Sequence, residues 1–286
     1  MTPSKQDAAT SNDDNALLDT ARYWEDRLRA HYDLAGVGYL SLGRAYNEWL
    51  YRVRAIVFRR VVAGLGLDAS AARILDVGSG TGFYVERWLA HGAADVTGVD
   101  ITAVAVERLA ARHPGCRFVQ GDIGGPLDAL PLEAGRFDAA TAMDVLFHIV
   151  DDEAYARALA NLAALLKPGG WLIWSDAFRH GPTLRVAHQA SRTRAEIVAA
   201  LDAAGLEIVR RVPMFVWMNY PVDARSTWWP AVWQRAARLV RRRNAIGWLA
   251  GALLFPIEVV LTRVVAESPT TEVLVCRRRG MDCPQP

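Results

Sequence analysis

Short apolar runs alternate with helical stripes through the middle of the chain. Ile74-Leu75-Asp76-Val77, Val96-Thr97-Gly98-Val99, Phe118-Val119, Phe137 to Met143 and Trp171 to Trp174 are brief, bounded by polar residues or glycine, and predict five strands. Between them Phe83, Val85, Trp88 and Leu89, then Val106 and Leu109, then Leu159, Leu162, Ala163 and Leu166 recur at helical spacing. Strand and helix in alternation predict a parallel sheet with helices on both faces. Thr102 stands where it would cap the second of these helices, which ends near His113-Pro114, and Lys167-Pro168-Gly169-Gly170 stops the third. Thr193-Arg194-Ala195-Glu196 has the spacing of a capping box and opens a helix that ends at Gly205. Leu206 to Val212 and Thr271 to Arg277 read as a sixth and a seventh strand.

The flanks divide differently. Residues 1–20 are polar and acidic, with Asp7, Asp13, Asp14 and Asp19, and read as a disordered tail. Residues 21–66 hold a short helix around Tyr23, Trp24, Arg27 and Leu28 and a longer one from Arg44 to Leu65, an N-terminal helical cap. The strand pattern of 67–212 resumes at 271–280. Residues 213–270 lie between the last two strands, where a few residues would suffice. That insertion carries five of the ten tryptophans, Trp217, Trp228, Trp229, Trp233 and Trp248, and seven arginines against three acids. Its apolar run from Ile246 to Val265 is broken by Glu258, Arg263 and Pro256, which argues against a bilayer span. Two readings stand: a helical cap buried against the sheet, which is favoured because apolar stripes usually face a core, or contact with a membrane surface through 228–265.

Composition adds limits. At 286 residues and 52% hydrophobic content the chain can build a sizeable core, and a net charge of +2 gives no global pull toward nucleic acid. Cys116, Cys276 and Cys283 make neither a disulfide framework nor a metal set, and the first two are expected as buried thiols in strands. No spacing among His31, His91, His113, His180 and His188 suggests a metal. No basic, apolar leader precedes the polar start, so a cytoplasmic setting is the simplest expectation, with membrane association as its variant.

The chemistry centres on Asp76-Val77-Gly78-Ser79-Gly80-Thr81-Gly82, which reads as strand, glycine turn and helix start. Such a turn lets a ligand lie against bare backbone at a helix N-terminus. The spacing is G-x-G-x-G, unlike the G-x-G-x-x-G of pyrophosphate sites, and Asp76 beside it suits an ammonium group better than a diphosphate. Asp100 ends the next apolar run, where a carboxylate can accept both ribose hydroxyls. Asp122 ends the third and could accept from the exocyclic amine of a base. A ligand with an adenine, a ribose and an amino-acid tail fits all three.

With Gly121-Asp122-Ile123, Phe137-Asp138 to His148 and Leu166-Lys167-Pro168-Gly169-Gly170 added in the same order, the chain resembles the class I S-adenosylmethionine-dependent methyltransferases over about two-thirds of its length. The resemblance implies an α/β, Rossmann-like fold: a seven-stranded, mostly parallel sheet of order 3-2-1-4-5-7-6, its final strands an antiparallel pair, with an N-terminal helical cap and a helical insertion before the last strand. It implies S-adenosyl-L-methionine as cofactor and S-adenosyl-L-homocysteine as product, held by Asp76, Gly78, Ser79, Gly80, Gly82, Phe83, Asp100, Ile101, Asp122, Ile123 and Met143. Phe83 and Ile123 would equally suit the core. It also implies that the N-terminal helices shape the acceptor pocket, so that Tyr32, Tyr39 and Tyr46, with Phe147 and Trp217, are substrate-side candidates. Packing is the plainer expectation for each tyrosine singly.

Methyl transfer from a sulfonium is an in-line displacement governed by positioning, and a hydroxyl acceptor must also lose a proton. Some O-methyltransferases of this family carry a histidine after the fourth strand and an acid after the fifth. His148 and Asp176 match those places as catalytic candidates; alternatively His148 caps the next helix or packs under the adenine. The expected activity is O-methylation of a small or lipid-linked acceptor such as a sugar or glycan intermediate. The alternatives are C- or N-methylation of a quinone, polyketide or amine, and, more remotely, a cofactor-binding module without catalysis. No nucleic-acid partner and no metal are expected. The oligomeric state is left open.

Overall fold

The structure, a computed structural model, describes residues 20–280. The expected tail therefore lies outside the described residues except for Thr20, which opens a helix. In chain order the elements are α1 (Thr20–Ala30), α2 (Gly43–Ala63), β1 (Arg73–Val77), α3 (Phe83–Ala90), β2 (Asp95–Asp100), α4 (Ala103–Arg112), β3 (Arg117–Gln120), β4 (Phe137–Ala142), α5 (Asp152–Leu165), β5 (Leu166–Asp176), β6 (Leu184–Val186), β7 (Gln189–Ser191), α6 (Arg194–Ala203), β8 (Leu206–Phe215), α7 (Trp228–Val240), α8 (Asn244–Val264) and β9 (Thr271–Arg278). The main sheet runs β3-β2-β1-β4-β5-β9-β8. Counted by chain order within the sheet, this is the expected 3-2-1-4-5-7-6. The first five strands are parallel, and β9 is antiparallel to both β5 and β8.

The unbroken apolar character of β1 follows from burial on both faces. Ile74 points to one side, into a core with Phe58 of α2 and Trp88 of α3. Leu75 and Val77 point to the other, with Leu159 and Leu162 of α5. Phe58, Ile74, Leu75 and Trp88 are fully buried, and each such side chain contributes roughly 1.5–3 kcal/mol over an exposed one.

The structure corrects several details. β5 begins at Leu166, before the Lys-Pro-Gly-Gly stretch, because Leu166 already pairs with Phe137 and the irregularity is absorbed by a register shift between Phe137 and Ala139. β8 runs past Val212 to Phe215, and a second shift between Pro213 and Phe215 accommodates the proline that lacks an amide hydrogen. The β6–β7 hairpin had no strand signal in the sequence. Cys276 is buried in β9, whereas Cys116 stops one residue short of β3 and is partly exposed.

Thr102 does precede α4, but its hydroxyl donates to Asp100 Oδ1 at 2.6 Å instead of capping the helix. The first α4 amides are taken from outside, by Glu25 Oε2 of α1, at 2.7 Å from Ala103 and 3.4 Å from Val104. The Thr193–Glu196 capping box forms as its spacing predicts.

In the region before the last strand, α7 and α8 form a helical hairpin, and α8 packs on α2 and β8. α8 has the length and composition of a membrane-crossing helix, but one flank is committed to the protein: Tyr46 of α2 donates to the carbonyl of Met218 beside it, and Arg60 to that of Thr262 within it. The expected burial against the rest of the fold holds for that inner flank alone.

Candidate active site

The glycine turn after β1 is built by left-handed backbone. Gly78 has φ 68° and Gly80 φ 51°. A Cβ at Gly78 would stand 2.2 Å from a Val145 methyl, and one at Gly80 would stand 3.0 Å from a methyl of Val37. Sterics and backbone conformation therefore both demand glycine. The amides of Gly78 and Ser79 donate to the Val99 carbonyl at 2.7 and 3.2 Å, which ties the turn to β2. Asp100 completes the tie: Oδ2 accepts from the Gly80 amide at 2.8 Å and Oδ1 from the Thr102 amide at 2.9 Å. With the Thr102 hydroxyl, three of its roughly four acceptor positions are used, which leaves capacity for a ligand hydroxyl. Burial holds the Asp100 carboxyl above its ordinary pKa despite these donors.

This turn floors a cavity of about 300 Å³, within the range of small-ligand pockets. Gly78, Ser79, Gly80, Phe83, Asp100, Ile101, Asp122, Ile123, Met143 and His148 all line it, so ten sequence candidates converge on one space. Asp122 lies exposed at its rim, one oxygen accepting from the Gly124 amide at 2.8 Å.

Other candidates fall elsewhere. Asp76 leaves β1 on the same face as Ile74 and is buried beneath the turn, where it accepts from Thr141 of β4 at 2.5 Å. Burial pushes its pKa up to about 7, and it does not line the cavity. Gly82 starts α3 at φ 87° and faces Leu109. Of the substrate-side candidates, Tyr32 donates to the Gly80 carbonyl at 3.1 Å from behind the turn. Tyr39 packs edge-on against Trp233, Tyr46 is bonded into the core, Phe147 tilts against His148, and Trp217 is exposed beside Trp229. None of the five lines the cavity.

His148 is buried in a single 3₁₀ turn, Leu146–His148. Its Nδ1 lies 2.8 Å from the His188 carbonyl. A carbonyl can only accept, so Nδ1 carries the proton and Nε2 holds a lone pair. Trp24 of α1 stands edge-on over the imidazole at 4.8 Å. Burial pushes the His148 pKa down to about 3, against the opposing pull of the His188 carbonyl, so the ring is neutral throughout the physiological range.

Asp176 is not brought to His148. It ends β5 buried, away from the cavity, with Oδ1 accepting from the Ala177 amide at 2.6 Å and Oδ2 without a partner among the described residues. Burial pushes it up to about 7. Asp144, three residues before Phe147, also lines the cavity, held by an ion pair from Arg54 and by the Ser175 hydroxyl at 2.8 Å. Tyr51, Phe83 and Tyr84 add aromatic wall, and Trp24 and Leu28 close the α1 side. Sequence reasoning missed Trp24, Tyr51, Arg54 and Tyr84; Tyr51 and Arg54 one helical turn apart on α2 were the available signal.

The cavity as built suits an adenosyl amino acid: bare backbone at a helix start, spare acceptor capacity at Asp100, and a rim carboxylate at Asp122. A family model described as a methyltransferase domain matches residues 74–170. The ubiquinone biosynthesis O-methyltransferase of Xanthomonas axonopodis pv. citri (strain 306) is 31% identical over 196 residues, covering 65% of this chain and 78% of the relative. The protein of the same description from Bordetella avium (strain 197N) is 37% identical over 111 residues, but the match spans only 44% of that relative and 38% of this chain. Among solved structures, the Burkholderia thailandensis 1,6-didemethyltoxoflavin-N1-methyltransferase with bound 1,6-didemethyltoxoflavin and S-adenosylhomocysteine superposes with a TM-score of 0.54 at 21% identity. That superposition covers 95% of this chain and 94% of the neighbour, and shows a shared fold.

Proposed function

The chain belongs to the class I S-adenosylmethionine-dependent methyltransferases, and from that premise we propose that it methylates a hydroxyl oxygen on a small aromatic acceptor. S-Adenosylmethionine is its cofactor and S-adenosylhomocysteine the product. In this reading the Gly78–Gly80 turn carries the amino-acid end of the donor, Asp100 accepts from the ribose, and Asp122 and Ile123 flank the adenine. The acceptor lies beyond the sulfur, between Trp24, Tyr51, Phe83 and Tyr84, where flat rings stack well.

The observation that carries the choice of oxygen is the His148–His188 contact at 2.8 Å, which turns the lone pair of a neutral imidazole into a role for Nε2. As the acceptor oxygen attacks the methyl carbon, the sulfur–methyl bond breaks with its electron pair going to sulfur. The hydroxyl proton passes to Nε2 and later to solvent. A buried imidazole with a pKa near 3 is a weak base, so it suits a hydroxyl that gives up its proton readily. A phenol, with a pKa of about 10, fits better than the aliphatic hydroxyl of a sugar, which holds its proton far more tightly. Neither the cavity lining nor the names of the relatives above favour a sugar. The names of the Xanthomonas and Bordetella relatives also speak for oxygen as the target.

The test is turnover with labelled donor on a simple catechol, a sugar alcohol and an aromatic amine, with the methylated atom assigned by mass spectrometry. Methylation of the catechol alone is expected, with His148→Ala lowering kcat by about 10²–10⁴-fold while donor affinity by calorimetry is unchanged. Undiminished turnover in that variant, or methylation of the amine in preference to the catechol, would point instead to nitrogen or carbon transfer.

A further inference from the structure

α8 is apolar on two sides. On its flank against the protein the fully buried positions are small or polar, Gly247, Gly251, Glu258 and Thr262, and Ala250, Leu254 and Phe255 pack half-buried beside them. A Cβ on Gly251 would stand 2.2 Å from the Trp49 ring, so α2 packs directly onto the α8 backbone. Glu258 has no exposed surface and accepts from the amides of Val216 at 2.7 Å and of Trp217 and Met218 at 3.0 Å. The opposite flank carries Ile246, Leu249, Leu253, Ile257, Val260 and Val264, the three- and four-residue spacing of one helix face, all exposed, Leu253 at 64% and Val264 at 71%. A water-facing helix normally places these residues the other way round. Trp248 and, on α7, Trp228 are also exposed.

The charges of this region are mostly positive, with Glu267 just beyond it pairing with Arg225 at 3.9 Å. From Ala224 to Ala266 the chain holds seven arginines, Arg225, Arg235, Arg238, Arg241, Arg242, Arg243 and Arg263. Its one acid there is Glu258, which is buried. A second copy docked symmetrically would set this cationic surroundings against itself, which opposes self-association. Anionic lipid satisfies both features, with acyl chains for the aliphatic stripe, phosphates for the guanidinium groups and the interfacial zone for the tryptophans. Spanning the bilayer is incompatible with the inner flank, which is bonded to α2 and to the residues after β8.

We propose that the α7–α8 hairpin docks the enzyme in the plane of an anionic membrane surface, with the Ile246–Val264 stripe among the acyl chains and the surrounding arginines at the phosphates. α2, which supports α8, also supplies Tyr51 to the cavity wall, so one helix links the hairpin to the cavity. The inference stands apart from the identity of the acceptor.

Flotation of the full chain with phosphatidylcholine vesicles, and with vesicles of phosphatidylcholine mixed with phosphatidylglycerol, tests it. Binding to the mixed vesicles is expected, weakened by salt. Leu253→Asp with Ile257→Asp should lower it at least tenfold, and Arg241→Glu, Arg242→Glu and Arg243→Glu together should reduce it to the level of neutral vesicles. Both changes lie on exposed positions, so S-adenosylhomocysteine binding should be unaltered, which separates lost docking from lost folding. No flotation of the wild-type chain would overturn the proposal. So would binding that survives the Leu253 and Ile257 changes, or a dimer in sedimentation that those same changes dissociate.

Discussion

Arg54 lays its guanidinium on the carboxylate of Asp144, and Asp144 is the one described non-glycine residue with left-handed backbone, at φ 60°. Strain of this kind persists when the surroundings over-determine it. Here Ser175 both accepts from the Asp144 amide and donates to its carboxylate, each at 2.8 Å, while Arg54 fixes the other oxygen. Arg54 itself lies among Tyr51, Tyr84 and Phe215, and burial is offset by Asp144 so that it stays charged.

Removing one partner of this pair leaves a charge with little access to water. Arg54→Met and Asp144→Ala are each expected to lower unfolding stability by about 3–5 kcal/mol, and the double variant by much less than their sum. Asp144→Gly should fall between, because it loses the pair yet relieves the positive φ. Urea unfolding of the four variants gives the cycle. Additive losses would show that the two side chains act independently.

Gly78 gives a sharper test of the turn. Alanine there meets both φ 68° and the Val145 methyl 2.2 Å away. Gly78→Ala should weaken S-adenosylhomocysteine binding at least tenfold, about 1.4 kcal/mol, in calorimetry. Adding Val145→Ala removes the collision but not the backbone strain, so it should restore part of the affinity. Full restoration would mean that the backbone conformation matters little; no restoration would remove Val145 from the account.

The fold was legible because its signals are local. Ile74 to Val77, the glycine turn and the Thr193 capping box each declare an element within a few residues, and their order fixes the sheet. The site was legible where it hangs on strand ends, as with Asp100 and Asp122. It was not legible where tertiary packing decides. Asp76 sits beside the glycines in sequence, but strand alternation sends it toward Thr141. Asp176 ends β5 itself, yet it does not line the cavity that holds His148. Trp24 and Tyr51 reach the cavity only because α1 and α2 fold back over it, which no spacing reveals. The same limit applies to α8, whose stripe reads as apolar on every side until Gly247 and Gly251 show which side α2 occupies.

Asp176 provides a pH test that leaves the cavity untouched. Its carboxyl titrates near 3.8 when unfolded and is pushed up to about 7 in the fold, by burial above all and partly by Asp144, with Arg192 and the Ala177 amide acting the other way. The folded chain therefore binds the extra proton between those values. The stability this group contributes is complete below about pH 4 and is lost as pH rises through 7. Asp176→Asn keeps an acceptor for the Ala177 amide and cannot ionise. Its melting temperature relative to wild type should rise steadily from pH 4 to 7 and level off above, an effect of up to a few kcal/mol. A constant offset across that range would show that Asp176 is ionised in the fold at acid pH. His148 contributes in the opposite sense: pushed down to about 3, it resists protonation in the fold, so wild type loses stability as pH falls below the ordinary histidine range toward 3.

Glu25 couples the N-terminal helix to the cofactor side of the sheet. Its Oε2 takes the first amides of α4, and its Oε1 is held by Arg29 at 2.8 Å. α4 follows directly on Asp100, Ile101 and Thr102, while α1 places Trp24 and Leu28 in the cavity wall. A cap supplied from another helix therefore joins the two sides of the ligand space. Glu25→Ala should lower stability by about 0.5–2 kcal/mol, as for other lost helix caps, and should speed amide exchange in both α1 and the first turn of α4. It should also weaken S-adenosylhomocysteine binding several-fold, whereas Glu25→Gln, which keeps one carbonyl acceptor, should recover most of both effects. Faster exchange in α4 with α1 unchanged would reduce Glu25 to an ordinary cap and would detach the N-terminal helix from ligand binding.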